Sequence, residues 1–367
     1  MSHPPSEHHP AHLLETPPLA RPAMPHTPWG RVFALGLAAA AIIVVVMLAF
    51  TWPTVTSQVR NLPIAVTGPS AEVTALKDNL ATHAHNTFAI TTVSDQAAAE
   101  HAIRTRQVDG AIVLSTQPVV IVASAAGTAP KAILTGVAGQ LQAEVNAQAQ
   151  AALHAAIVAG HAPAGATVPT ISVRVVDLVP LASGDTQGAG LVAASFPLVI
   201  GGVLGGVLIS LLVVGDWRRV TAVLFHGIVG GFVIAGVLQG WFHVVQGTYL
   251  LNVAAVATSM IATAFLVVGT NALIGRTGIA VGAVITMLVG NPISAAAEPT
   301  QFLPGVWGSI GQWFVPGASV SLLRDISYFP DANSLFSWLV LAGWALLGLL
   351  LTVIGRFRNQ EVTKAAA

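Results

Sequence analysis

Hydrophobic positions in this chain gather into six uncharged runs separated by stretches of mixed polarity. A bilayer core about 30 Å thick takes roughly 20 apolar residues of helix. The runs at 32–50, 191–214, 220–241, 249–274, 278–296 and 335–354 are each predicted to span a membrane. Trp29 and Arg31 flank the first run on one side and Trp52 and Pro53 on the other, as interfacial anchors do. That run exceeds the apolar core of a secretory signal and has a long leader before it, so an uncleaved signal anchor is expected.

Between the first two runs the pattern changes. Residues 61–67 and 88–93 are rich in β-formers, 110–114 and 119–125 are short apolar strands around Pro118, and 170–178 alternates. Helical spacing runs through Val73, Leu76 and Leu80 in 71–83, covers 95–107, and recurs as Ile133, Val137, Leu141 and Val145 in 131–159. The order βαβαββαβ predicts a small α/β domain over 53–188. The expected fold is thus a membrane all-α bundle of six transmembrane helices with this extracytoplasmic α/β domain inserted between helices 1 and 2. The organisation is a disordered cytoplasmic tail (1–28), helix 1 (29–52), the α/β domain (53–188), helices 2–5 (189–297), an extracytoplasmic re-entrant segment (298–332), helix 6 (333–356) and a second cytoplasmic tail (357–367).

Composition agrees: 54% of residues are hydrophobic and 8% charged, against roughly 25% charged in soluble domains. Fifteen basic and fifteen acidic residues cancel, which leaves no basic field for nucleic acid. Arg21, Arg31, Arg218, Arg219, Arg276, Arg356, Arg358 and Lys364 fall on one side of the six runs and only Arg324 on the other. This bias places both termini in the cytoplasm, and the excess of Arg over Lys, twelve to three, with abundant Ala points to a bacterial cell membrane. Cysteine is absent, which excludes disulfides and thiolate chemistry. There is no P-loop, no G-x-S-x-G elbow and no H-E-x-x-H helix, so neither an enzyme nor a cofactor is expected. His8, His9 and His12 sit in a tail without preorganisation, and His83, His85, Asp78 and Glu100 read as solvated surface.

The six runs hold no Asp, Glu, Lys or Arg, whereas ion-coupled carriers need ionisable groups between helices. His226 and His243 are about 25 Å apart along a helix, too far to pair. Energy for any transport would come from another subunit. Gly201, Gly202, Gly205 and Gly206 give overlapping G-x-x-x-G steps, repeated by Gly227/Gly231, Gly236/Gly240 and Gly278/Gly282. Such faces serve packing within one chain or a homodimer seam.

One anchor helix, a large outer domain and five clustered spans resemble the type-2 ABC-transporter permease superfamily, and within it the actinobacterial relatives of the phage-infection-protein group. Local cues are Asn291-Pro292, Phe302-Leu303-Pro304-Gly305, Trp307, Trp313, Pro316-Gly317, Leu323-Arg324 and Tyr328-Phe329. The resemblance implies short re-entrant helices before the last span, with Pro304, Gly305, Trp307, Pro316, Gly317 and Arg324 as an outer gate. It also implies a homodimeric permease subunit in the lipid bilayer, served by a cytoplasmic ATP-binding subunit and exporting an amphiphilic or envelope-related substrate. Asp216, Trp217, Arg218 and Arg219 form the inner turn expected to contact that subunit. Residues 22–31 are Pro-rich and the inner turn is short, a departure from the elbow and docking helices of such permeases. The alternative is a membrane scaffold or receptor whose outer domain binds envelope, secretion-machinery or phage components.

Overall fold

The computed structural model describes residues 27–161, 167–168 and 171–365, with side chains as far as 358. The histidines of the N-terminal tail lie outside the described residues. Two compact units are distinguished, Met1–Val46 and Met47–Ala367. Their boundary falls within the first helix, α1 (Trp29–Thr56).

From Leu62 the chain builds a five-stranded mixed sheet: β1 (Leu62–Thr67), α2 (Ser70–His83), β2 (Phe88–Thr92), α3 (Gln96–Arg104), β3 (Gly110–Val113), β4 (Val119–Val122), α4 (Thr128–Val158) and β5 (Arg174–Asp177). The element order is the one the hydropathy pattern predicts. Strands lie in the order β2-β1-β3-β4-β5. β1 is parallel to β2 and β3, β4 is antiparallel to β3, and β5 is parallel to β4. Because the chain steps from β1 outward to β2 and back past it to β3, right-handed crossovers put α2 and α3 on opposite faces. The cores follow suit. Leu62, Ile64, Val66 and Ile112 pack with Val73 of α2 and Leu134 of α4. Ala65, Ala111 and Ile121 pack with Ala99 and Ile103 of α3 on the other face. Asp95 caps α3 by accepting the Ala98 amide (2.8 Å), and that hydrogen bond holds its carboxyl below the usual value.

The rest of the chain is helical: α5 (Gly190–Leu212), α6 (Asp216–Ala235) continued by a π turn (Gly236–Trp241), α7 (Tyr249–Ile274), α8 (Arg276–Ala283) continued by a π turn (Val284–Gly290), α9 (Trp307–Gly311), α10 (Val315–Tyr328) and α11 (Leu335–Ala365). Among the described residues five helices, α1, α5, α6 with its π turn, α7 and α11, are long and apolar enough to cross a membrane, the mark of a multi-pass membrane protein. The central one is α7, packed against α5, α6, α8, α10 and α11. Glycines permit its closest crossings. A Cβ on Gly269 would stand 2.2 Å from the Gly348 carbonyl oxygen, and one on Gly355 would stand 2.4 Å from that of Ala272.

The predicted run 278–296 departs from expectation. Its helix is Arg276–Gly290, eight residues of α8 and seven of the π turn, about 22 Å at 1.5 Å per residue. That is short of a 30 Å core. The helix ends because Gly290 meets Phe314 and Pro316, at 3.0 and 3.1 Å from its ideal Cβ, and Pro292 follows. The chain then leaves toward the sheet, where Phe302 is buried in the core, and returns so that α10 starts beside Gly290. A second difference is at the C-terminus, where α11 continues through the expected tail at 357–367 as far as Ala365.

Candidate functional site

The sheet and the helices meet at the C-terminal half of α10, a helix almost wholly buried among α5, α7 and α11. Its last turns carry Arg324, Asp325, Ser327 and Tyr328, polar groups that need partners at such depth. Arg106, in the turn after α3, forms an ion pair with Asp325 and lies with its guanidinium 5.4 Å from the centre of the Phe329 ring. Arg324 is only 8% exposed and donates from Nη2 to the Ala296 carbonyl (2.9 Å). Asp109, just before β3, has its carboxyl pushed up by burial, an effect the charges of Arg106 and Arg324 oppose. Ser327 Oγ donates to Asn252 Oδ1 (3.1 Å), Asn252 Nδ2 donates to Gln239 Oε1 and to the Gln246 carbonyl (both 2.8 Å), and Tyr328 Oη donates to the Val244 carbonyl. Tyr328 and Phe329 also enter the α3-side core of the sheet. One short helix thus binds α7, the loop after α6 and the sheet into a single polar and apolar junction.

A second tie runs on the other face. Phe302 is 2% exposed beneath β1 and α4. Around it, Arg60 donates to the Gln301 (3.0 Å) and Leu303 carbonyls, Gln58 N donates to Phe302 O (3.0 Å), and Ser57 donates to Glu298. The predicted boundary 53–188 therefore leaves out residues that complete both sheet cores. Phe302 and Tyr328-Phe329 were legible as aromatic cues, but nothing in their spacing marks them as plugs for a distant sheet.

The residues expected at a gate are spread along the segment from Pro304 through α9 to the last turns of α10. Pro316 and Gly317 start α10 deep among the helices, where a Cβ on Gly317 would stand 2.3 Å from the Gly311 carbonyl oxygen. Gly305 turns with φ +60° in open space, and Pro304 accepts a hydrogen bond from the Trp307 amide (3.4 Å). Trp307 meets Trp52 edge to face at 6.1 Å. Arg324 belongs to the junction described above.

At the opposite end of the helices, Arg219 folds back: its Nε donates to the Val213 carbonyl (2.9 Å) and its Nη2 to that of Ser210 (3.2 Å). It caps the end of α5, which leaves Trp217 and Arg218 exposed and Asp216 half-buried. Trp217 (64% exposed) and Phe225 (69%) rim a shallow depression of about 460 Å3 together with Arg218.

All but one of the glycine steps are packed inside the chain, the exception being Gly236/Gly240, where a Cβ on Gly240 would meet nothing within 4 Å. Gly202 and Gly206 face Thr263, Ala264 and Val267 of α7, Gly205 faces His226 of α6, and a Cβ on Gly201 would stand 3.6 Å from Met260. His226 Nε2 is 3.2 Å from the Gly201 carbonyl, a contact that places the ring proton on Nε2. Gly227 and Gly231 likewise meet Ile261 and Ala257 of α7. Among the described residues no cluster of His, Asp and Glu could hold a metal ion. No family model, curated protein or solved structure matches the chain.

Proposed function

We propose that this protein is the membrane subunit of an exporter that moves an amphiphilic or envelope-related molecule outward, driven by a separate cytoplasmic ATPase. The observation that supports this reading is the continuous packing path from the Trp217–Arg218 end of α6, through the central helix α7 and buried α10, to the sheet. Packed cores shift between discrete arrangements rather than deform smoothly, so a push at one end is transmitted to the other. Arg218, Arg219, Arg276, Arg356 and Arg358 flank the apolar runs at the Trp217 end, which supports reading that end as the cytoplasmic one. In this reading the short helix Arg276–Gly290 and the start of α10, which meet at Gly290, supply the sixth crossing in two halves. No Asp, Glu, Lys or Arg stands within the six apolar runs, and the buried Arg324 and Asp325 of α10 are taken up in the junction with Ala296 and Arg106, which favours an energy source outside this chain.

The test is purification from native membranes. A nucleotide-binding protein should accompany the wild-type chain and be lost from the Trp217→Ala/Arg218→Glu variant. Its repeated absence, or substrate movement in vesicles holding this chain alone under a pH gradient, overturns the reading. Retention of envelope or secretion components without any ATPase would favour a scaffold or receptor instead.

A further inference from the structure

We infer that the groove between α2 and the second half of α4 binds an amphiphile carrying a positively charged amine. The groove has a volume of about 700 Å3, within the range of small-molecule clefts. Its floor is apolar, formed by Leu76 and Leu80 of α2, Leu114 after β3, and Val137, Leu141 and Val145 of α4. Its rim is polar, with Asn79, Ser115, Gln140 and Gln148 between two carboxylates, Glu72 on α2 and Glu144 on α4. No Lys, Arg or His lines it among the described residues, and neither glutamate takes part in an ion pair there.

That combination selects a ligand. An apolar tail up to the size of a short alkyl chain gains roughly 0.8 kcal/mol per buried methylene on the floor. An ammonium head meets two carboxylates and neutral hydrogen-bond acceptors, whereas an anionic head meets only like charge. The location also suits a ligand. α4 leaves the sheet after Leu134 and Ala138, so its second half and α2 form walls around the segment that follows the carboxyl end of β3. Open α/β sheets gather ligands outside the carboxyl ends of strands, where the strand order reverses, and here that reversal lies at β1 and β3. Gly68 keeps this end tight, since a Cβ there would stand 2.6 Å from Leu114.

The binding claim does not depend on the exporter reading, because the groove can fill whether or not an ATPase docks. The test uses the full chain in lipid nanodiscs, with octylammonium, octyl sulfate and octyl glucoside as probes and empty nanodiscs as the partition control. Hydrogen exchange is read in 70–80 and 137–149. Octylammonium should slow exchange in both segments, and the Glu72→Gln/Glu144→Gln double variant should weaken its binding about fivefold, as expected for two exposed ion pairs of a few tenths of a kcal/mol each. Ala75→Trp, which fills the groove from α2, should abolish the effect while β1 and β3 keep their protection. Equal protection by all three probes, protection unchanged in both variants, or no protection by octylammonium overturns the assignment.

Discussion

Arg106 and Asp325 lie 219 positions apart in the chain, yet their ion pair closes the junction between the sheet and α10. The Arg106 side chain is 25% exposed and that of Asp325 10%, between the surface and interior limits for an ion pair. Arg106→Ala should therefore destabilise by about 2–3 kcal/mol, chiefly because it strands a buried carboxylate. Arg106→Met combined with Asp325→Leu should recover most of that loss. Thermal unfolding in detergent measures both, and a double variant as weak as the single one would show that the pair itself holds the junction. Asp109 gives a pH dependence of defined sign. Its carboxyl is raised above the ordinary 3.8 by burial, so the folded state holds the proton more tightly than the unfolded chain. Ionising it opposes folding: the cost is absent below 3.8, grows as pH climbs through the raised folded value, and is complete above it. Asp109→Asn should accordingly unfold at a higher temperature than wild type at pH 7 and converge with it near pH 3.5. A variant less stable at pH 7 would mean that attraction to Arg106 and Arg324 outweighs the burial cost.

Among the elements, α7 depends on glycine where its neighbours cross. Gly269→Ala and Gly348→Ala each press a methyl group into facing backbone, at 2.2 and 2.3 Å, and backbone cannot swing aside. Each should cost about 1–3 kcal/mol by overpacking. Gly343→Ala, on the same α11 but with nothing within 4 Å, should be neutral or gain up to about 1 kcal/mol of helix propensity. Equal effects in all three would show that α11 does not cross α7 through its glycines. The same comparison explains how much was legible beforehand. Period-2 and period-3.6 patterns gave the strands and helices of the sheet region within a few residues, because each buries one face locally. The G-x-x-x-G steps announced close packing but not the partner, since a small-residue face looks alike to a helix of its own chain and to one of another copy. Hydropathy overextended the run 278–296 because 291–296 stays largely apolar after the helix has stopped at Gly290. The ion pair of Arg106 and the cap formed by Arg219 left no mark, because each rests on a rotamer that reaches another element.

At the scale of the whole molecule, the sheet is held from both faces by aromatic residues of the helical region. Phe302 belongs to the core shared by β1, α2 and α4, and Phe329 to the core shared by β3 and α3. An autonomous domain would complete its own cores, whereas this sheet shares a single compact unit with the helices that follow it. The two faces should therefore loosen separately and predictably. Phe302→Ala opens a cavity beneath β1 and should cost about 3–5 kcal/mol, with faster hydrogen exchange in α2 and α4. Phe329→Ala should cost a similar amount but speed exchange in α3 and in the last turn of α10, because it also removes the ring beside the Arg106 guanidinium. Trp307→Ala is the control, since that ring is 43% exposed and belongs to neither core. If Phe302→Ala left α2 and α4 as well protected as in wild type, the α2–α4 face of the sheet would be shown to stand without the helical region. Motion in α10 would then have no rigid route to the face of the sheet that carries the groove.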